Sequence, residues 1–221
     1  MPDPAMADDD LVAVGADLEP ATLVDAYRNG IFPWPHGDGP LPWFSPRRRA
    51  LITHESLHVS RSLRRRLRHS GWETTVDTAF PAVIAACATA ERPGEHGTWI
   101  TPAMQEAYTR VFRLGWAHSF EVWSGDGLVG GLYGVHVGGF FAGESMFRRV
   151  ADASKAAVVD AVERLHRAGG TALDVQMATD HLRSLGAFEV DRREFLRLLR
   201  AHRDDPVHLP RERCPVSRLA E

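Results

Sequence analysis

The stretch "HSFEVWSGDGLVGGLYGVHVGGFFAGESMF", His118 to Phe147, decides the fold. Its runs "HSFEVW", "LVGGLYGVHV" and "FFAGESMF" alternate or stay apolar, and "SGDG" and "GG" part them. Strand-like runs divided by turn residues predict an antiparallel meander. Glycines at 130, 131, 134, 138, 139 and 143 thin its last two strands, as bulges, curvature or a close approach of backbone or ligand would require. Glu144 sits among apolar and small residues. Two-residue alternation sets it beside Ala142 and Met146, where an unpaired carboxylate costs several kcal/mol in order of magnitude. Either Lys155 or Arg148 neutralises it from within, or a substrate cation does so from outside.

Downstream, a helix is expected from about Asp152 to Ala168, with Val158, Val162 and Leu165 on one face and Gly169 as its cap. "TALDVQM" reads as a buried strand, and "TDHLRSLG" and "RREFLRLLRAH" as closing helices. Within "LDVQM" the strand period places Asp174 and Gln176 on one face and Leu173, Val175 and Met177 on the other. An acid there can fix which way the amide points; a satisfied core pair is the bland alternative.

Upstream, "TPAMQEAYTRVFRLG", "TAFPAVIAACATA" and "SRSLRRRLRHSG" suit helices, the last capped by Ser60 and stopped by Gly71. That helix carries Arg61, Arg64, Arg65, Arg66 and Arg68 at spacings of three and four, which suits phosphate recognition or a solvated face. Before it, the proline- and glycine-rich "GIFPWPHGDGPLPWFSP" holds Ile31, Phe32, Trp34, Trp43 and Phe44, too many large apolar groups for an idle linker. A short helix, "EPATLVDAYRNG", precedes it with Leu23, Ala26 and Tyr27 on one face. We expect a small N-terminal domain over 1–49 and an α+β domain with a mixed sheet over 50–221. Trp34 and Trp99 adjoin turn residues, where an aromatic plane can stack on a nucleobase or simply pack in the core.

The 221 residues, 44% of them hydrophobic, suffice for one large domain or a domain with an annex. Lys and Arg number 26 against 29 Asp and Glu, a formal charge of −3, so any nucleic-acid site must be a patch. Cys87 and Cys214 show no CxxC spacing, which fits a reducing cytoplasm. An acidic N-terminus and the lack of any apolar run near the roughly 18 residues a span needs argue against secretion and membrane insertion. "HESLH", His54 to His58, matches the HExxH pattern of zinc peptidases, whose histidines must share one helical face. Here the stretch lies between the strand-like "ALIT" and the helix cap Ser60, so that context is missing. "RAGGTA", Arg167 to Ala172, fits the R-x-x-G-x-A string of acyl-CoA enzymes, yet it leads out of a helix into a strand, the wrong order for seating a pyrophosphate on a helix N-terminus. Neither metal nor cofactor is expected.

Taken in order from about Leu18 to Leu199, "GIFPW", "WFSP" with Arg49 following, "SLHVSRS", "GTWIT", "AHSFEVW", "LVGGLYGV", "GESMF", "ASKAAV", "DVQ" and "SLGA" resemble the leucyl/phenylalanyl-tRNA-protein transferase family. The resemblance implies an acetyltransferase-like (GNAT-type) larger domain that draws its acyl group from aminoacyl-tRNA rather than acetyl-CoA. It implies transfer of Leu or Phe, less readily Met, to the N-terminal amine of proteins beginning with Arg or Lys, which marks them for degradation in bacteria. By the same resemblance, Gln176 draws on the attacking amine, Asp174 holds Gln176, and Glu144 positions the acceptor. Trp34 and Trp99 would hold the terminal adenosine, Leu132, Phe141, Met146 and Leu173 would form an apolar cup, and the arginine helix would track acceptor-stem phosphates. A monomer is expected. Thr179 replaces an Asn of some members and Ala161 an aromatic of others, which leaves the Leu–Phe balance open. Two alternatives stand beside this: a zinc metallopeptidase using HESLH, and a noncatalytic tRNA-binding module.

Overall fold

The computed structural model describes residues 1–35, 39–90 and 98–220, so positions 36–38 of the proline-rich loop and Gly97 of "GTWIT" lie outside it. Near the N-terminus, β1 (Leu11–Val14), β2 (Phe32–Pro33) and β3 (Pro42–Phe44) form a small sheet in the order β1-β3-β2, with α1 (Pro20–Arg28) between β1 and β2. The larger sheet contains β4 (Arg48–Ile52), β5 (Glu73–Val76), β6 (Ala117–Ser124), β7 (Gly127–Val137), β8 (Phe140–Arg148), β9 (Ala172–Gln176), β10 (Phe188–Asp191) and β11 (Cys214–Pro215). Their order is β10-β4-β9-β8-β7-β6-β5-β11. The expected meander is β6, β7 and β8, paired antiparallel.

The helices are α2 (Arg61–His69), α3 (Phe80–Thr89), α4 (Pro102–Arg113), α5 (Ala153–Arg167), α6 (Asp180–Arg183) and α7 (Arg192–His202). Local chemistry sets their starts: Ser60 Oγ accepts from the N–H of Leu63 at 3.3 Å, and Thr101 Oγ1 from that of Met104 at 3.2 Å, each satisfying an orphan donor of the first turn. One face of the large sheet is covered by α1, α3, α4 and α7 through residues such as Tyr27, Phe80, Tyr108 and Phe195. The other face is covered by α2, α5 and α6 through Leu63, Val158, Val162 and Leu182. "RAGGTA" does run from the end of α5 into β9.

The sheet is mixed because β8 and β9 run parallel, joined by α5, as a crossover connection demands. Their pairing stops at Ala142 opposite Asp174, although β8 continues to Arg148 and β9 to Gln176, so the two strands part there. Two irregularities lie beside this split. Opposite β8, Tyr133 faces Ser145 while Gly134 faces Gly143, which leaves Glu144 as an extra, bulged residue. Opposite β9, Ala50 faces Gln176 while Leu51 faces Asp174, which makes Val175 the extra residue there.

The bulge corrects the expected neighbourhood of Glu144. Ala142 faces the first core cluster and Met146 the second, so Glu144 does not share a wall with Met146. Strict alternation fails because one inserted residue reverses the parity of all that follow. Gly134 makes room for this: a Cβ on it would come within 2.0 Å of the Ala142 carbonyl oxygen.

Candidate active site

At the split, Gln176 adopts φ +55°, and the N–H of Met177 donates to the Val175 carbonyl at 2.6 Å, which closes a strained three-residue turn around Gln176. Such a conformation persists only if its surroundings impose it. Asp174 supplies the constraint. Its Oδ1 accepts from the Gln176 N–H at 3.0 Å and from Arg49 Nε at 2.8 Å, and its Oδ2 accepts from Arg49 Nη2 at 2.6 Å. The Asp174 carboxylate therefore holds Gln176 through its main-chain N–H rather than through its side-chain amide. The amide Nε2 instead donates to Glu144 Oε1 and to the Asp174 carbonyl, both at 3.4 Å. The meeting of these three side chains comes from bulges and a turn rather than from strand periodicity.

Arg49 is almost wholly buried, with its guanidinium 4.5 Å from the Phe195 ring centroid, 5.0 Å from that of Phe32, and within 3.2 Å of the Gly30 carbonyl. Its bidentate pair with Asp174 thus joins the N-terminal segment to β9, and removing one partner would strand a buried charge at a cost of about 3–5 kcal/mol.

Glu144 does not pair with Lys155 or Arg148. Lys155 bonds Asp152 at 3.2 Å and Arg148 is exposed. The partners are tyrosines: Tyr108 Oη donates to Glu144 Oε2 at 3.2 Å, and the hydroxyls of Tyr27 and Tyr108 lie 2.5 Å apart. Desolvation pushes the Glu144 carboxyl up to about 7; Tyr27 pulls it down, the Asp174 charge pushes it up, and Tyr108 and Arg49 pull it down. Both hydroxyls are held well above the ordinary tyrosine range, by burial first and by Glu144 next, so they remain donors. Glu144 is half-buried. A carboxyl poised near neutrality within reach of an amide can take and return a proton.

Tyr27, Tyr108 and Arg49 are the site residues that sequence reasoning missed. In sequence Tyr27 is one apolar position of a helix face, and only the depth at which its hydroxyl is buried assigns it another task.

Leu132, Phe141 and Leu173 are buried and Met146 is partly buried, all in the second cluster with Ala161. The residues expected to form the apolar cup thus fall in one cluster, on the face opposite the tyrosines. Gly143 stands beside them: a Cβ there would lie 3.3 Å from Leu173 Cδ1 and 3.4 Å from Leu132 Cδ1. Trp34 and Trp99 are half-buried against the first cluster, Trp34 edge-on to Phe44 at 5.8 Å. Pro35 and Thr101, neighbours of the two tryptophans, line a common cleft of about 330 Å³ with Leu41 and Met104. A larger cleft of about 640 Å³ between Arg28, His118, His136 and Arg211 lies away from these groups, and Arg28 and Arg203 pair with Asp204 there and Arg211 with Asp77.

The arginines of α2 divide. Arg64 and Arg68 donate to the Ala220 carbonyl near the C-terminus, and Arg66 lies 3.9 Å from Asp152. Arg61 and Arg65 are exposed, and among the described residues neither makes an ion pair. His54 and Glu55 fall in a turn and α2 begins only at Arg61, so the HESLH stretch forms no helix and the peptidase alternative loses its geometry.

A mixed sheet layered by helices on both faces, with an ionisable cluster at the parting of two parallel strands, defines the class as an α+β protein with a candidate active site. Within it, the chain belongs to the leucyl/phenylalanyl-tRNA protein transferase family: the family model of that description matches residues 51–200, and that of its N-terminal domain matches 16–47. The leucyl/phenylalanyl-tRNA–protein transferase of Anaeromyxobacter dehalogenans (strain 2CP-C) is 54% identical over 202 residues, covering 90% of this chain and 87% of its own length. Those of Chromohalobacter salexigens and Stutzerimonas stutzeri (strain A1501) are 52% and 50% identical, covering 90% and 89% of this chain and 77% and 86% of their own lengths. A solved structure described as that of L-PGS from Bacillus licheniformis aligns with 73% of this chain and 52% of its own at 12% identity and a TM-score of 0.42, too slight a likeness to bear on the fold. Membership in a family of transferases counts against a noncatalytic binding module.

Proposed function

We propose that this chain moves Leu or Phe, and less readily Met, from aminoacyl-tRNA to the N-terminal α-amine of proteins that begin with Arg or Lys, marking them for degradation in the cytoplasm. Among the described residues no helix is long and apolar enough to cross a membrane. The observation that carries the reading is the contact between the Gln176 amide and the Glu144 carboxyl at the strand split. Seated there, the acceptor amine attacks the ester carbonyl of the donor; the C–N bond forms, the bond to the ribose oxygen breaks, and one proton passes from nitrogen to that oxygen. Gln176 Oε1 orients the amine, and Glu144 receives the proton and returns it to the leaving oxygen. The Tyr27 and Tyr108 hydroxyls steady the carboxylate formed when the proton leaves. No covalent enzyme intermediate is needed, since the ester is already activated and alignment can supply about 7–11 kcal/mol.

The donor side chain enters the cup of Leu132, Phe141, Met146 and Leu173, which excludes charged amino acids but separates Leu from Met by only about 1–3 kcal/mol. Trp34 and Trp99 flank the terminal adenosine, and the outward arginines of α2 meet acceptor-stem phosphates. A GNAT-type likeness of the part from residue 50 onward is supported by the β8–α5–β9 unit, whose parallel strands part beside the site. A boundary near residue 49 is supported by the separate three-stranded sheet before it. The chain works as a monomer in this reading.

The test supplies Leu-tRNA carrying labelled leucine and a peptide beginning with Arg. Label should enter the peptide. Gln176→Ala and Gln176→Gly should each lower transfer at least about 100-fold, while Gly should melt higher than Ala because it tolerates a positive φ. Unchanged transfer by the glycine variant would remove Gln176 from the mechanism.

A further inference from the structure

The HESLH stretch forms no helix, and the fold regroups its first two residues with residues far along the chain. The turn from Thr53 to Ser56 is braced twice: the N–H of Thr53 donates to Ser56 Oγ at 3.0 Å, and that of Ser56 to Thr53 Oγ1 at 3.2 Å. It projects His54 and Glu55 beside the last turns of α5, where Glu163 and His166 stand three residues apart and share a helical face. Ligand atoms of His54, Glu55 and His166 all lie within 4.8 Å of one another, and Glu163 Oε2 is 3.6 Å from His54 Nε2. Beneath them lies a pocket of about 40 Å³ walled by Val162, Leu165 and Thr171, room enough for a single ion or water.

We propose that His54, Glu55 and His166, with Glu163 as a fourth donor, form a surface site for a divalent transition ion of the zinc type. Two imidazoles and two carboxylates are a donor set that such ions accept. The imidazoles of His54 and His166 stack with centroids 3.8 Å apart and planes 8° from parallel. Their lone pairs then lie in two nearly parallel planes, whereas zinc at about 2.0–2.1 Å from each nitrogen requires them to converge. Binding therefore swings one exposed ring about its side-chain torsions and leaves the braced turn and the helix in place. The ion would clamp the end of β4 to α5, at the opposite end of the β4–β9 pair from Gln176: Ile52 faces Leu173, while Ala50 faces Gln176. It would act on stability and take no part in the transfer step.

The test strips the full chain with a chelator and titrates it with zinc alone by calorimetry, with cobalt absorbance as a second report of coordination. One equivalent should bind and raise the melting temperature of the chain, as any ligand of the folded state does. His54→Ala and His166→Ala should each weaken binding at least 10-fold and abolish that rise; being exposed, both should fold normally without metal. His58→Ala should bind as the parent does, because the site uses His166 in place of the second histidine of the motif. Failure of the parent chain to bind zinc, binding undiminished in the His54 and His166 variants, or equal loss in the His58 variant would each overturn the proposal.

Discussion

At the scale of single residues, Glu144 is a desolvated carboxyl, and its titration gives a sharp expectation. Its carboxyl titrates near 7 in the folded chain, against 4.5 ordinarily, so its protonated form is the one the fold prefers. The stability tied to that proton is fully present below about pH 4.5 and is lost as pH rises through about 7. Glu144→Gln mimics the protonated form. Denaturant unfolding should find parent and variant alike near pH 4.5 and the variant more stable at pH 8 by about 1–3 kcal/mol, the lower part of that range allowing for partial exposure. A gap that does not vary with pH would show that the carboxyl is not desolvated. The polar members of the site, Asp174, Gln176 and Glu144, are legible in the sequence because polar residues stand out in apolar strands. Their partners are not: Arg49 is 125 positions from Asp174, Tyr27 is 81 from Tyr108, and Tyr108 is 36 from Glu144. A buried tyrosine reads as core until something shows what its hydroxyl touches.

At the scale of elements, the helices follow their local signals closely. Ser60 and Thr101 cap where side-chain oxygens can reach free N–H groups, and Gly71 follows the arginine helix with φ +67°. Caps and periodicity act over a single turn, so sequence carries them. The bulges at Glu144 and Val175 have no such local cause, since each depends on the neighbouring strand. Gly134 hints at the first, because no side chain fits against the Ala142 carbonyl. Gly134→Ala should therefore lower stability by at least about 3 kcal/mol in thermal or urea unfolding, since the obstacle is backbone. Gly143→Ala, which meets the flexible ends of Leu132 and Leu173 and touches the Asp174 carbonyl oxygen only at an ordinary 3.8 Å, should cost less than about 1 kcal/mol and impair transfer of Phe more than of Leu. Equal destabilisation by the two would mean that the bulge does not need Gly134.

At the scale of the whole molecule, net charge hides a local asymmetry. Affinity for tRNA should fall steeply with salt, and Arg61→Ala and Arg65→Ala should each flatten the log–log slope by about 1. Arg68→Ala, whose guanidinium donates to the Ala220 carbonyl, should instead lower the melting temperature. A slope unchanged by the first pair would move the phosphate contacts elsewhere. The sequence by itself determined the meander, the helices, the family and the three polar residues that meet at the strand split, because periodicity, caps and motifs are written in neighbouring positions. Only the tertiary structure decided that Asp174 grips Arg49 and the main chain, that tyrosines rather than a lysine meet Glu144, that the residues expected to form the cup lie across the sheet from them, and that His54 faces His166 instead of His58. Those outcomes depend on where strands part and bulge, and that is settled by packing between segments far apart in the chain, which no local pattern records.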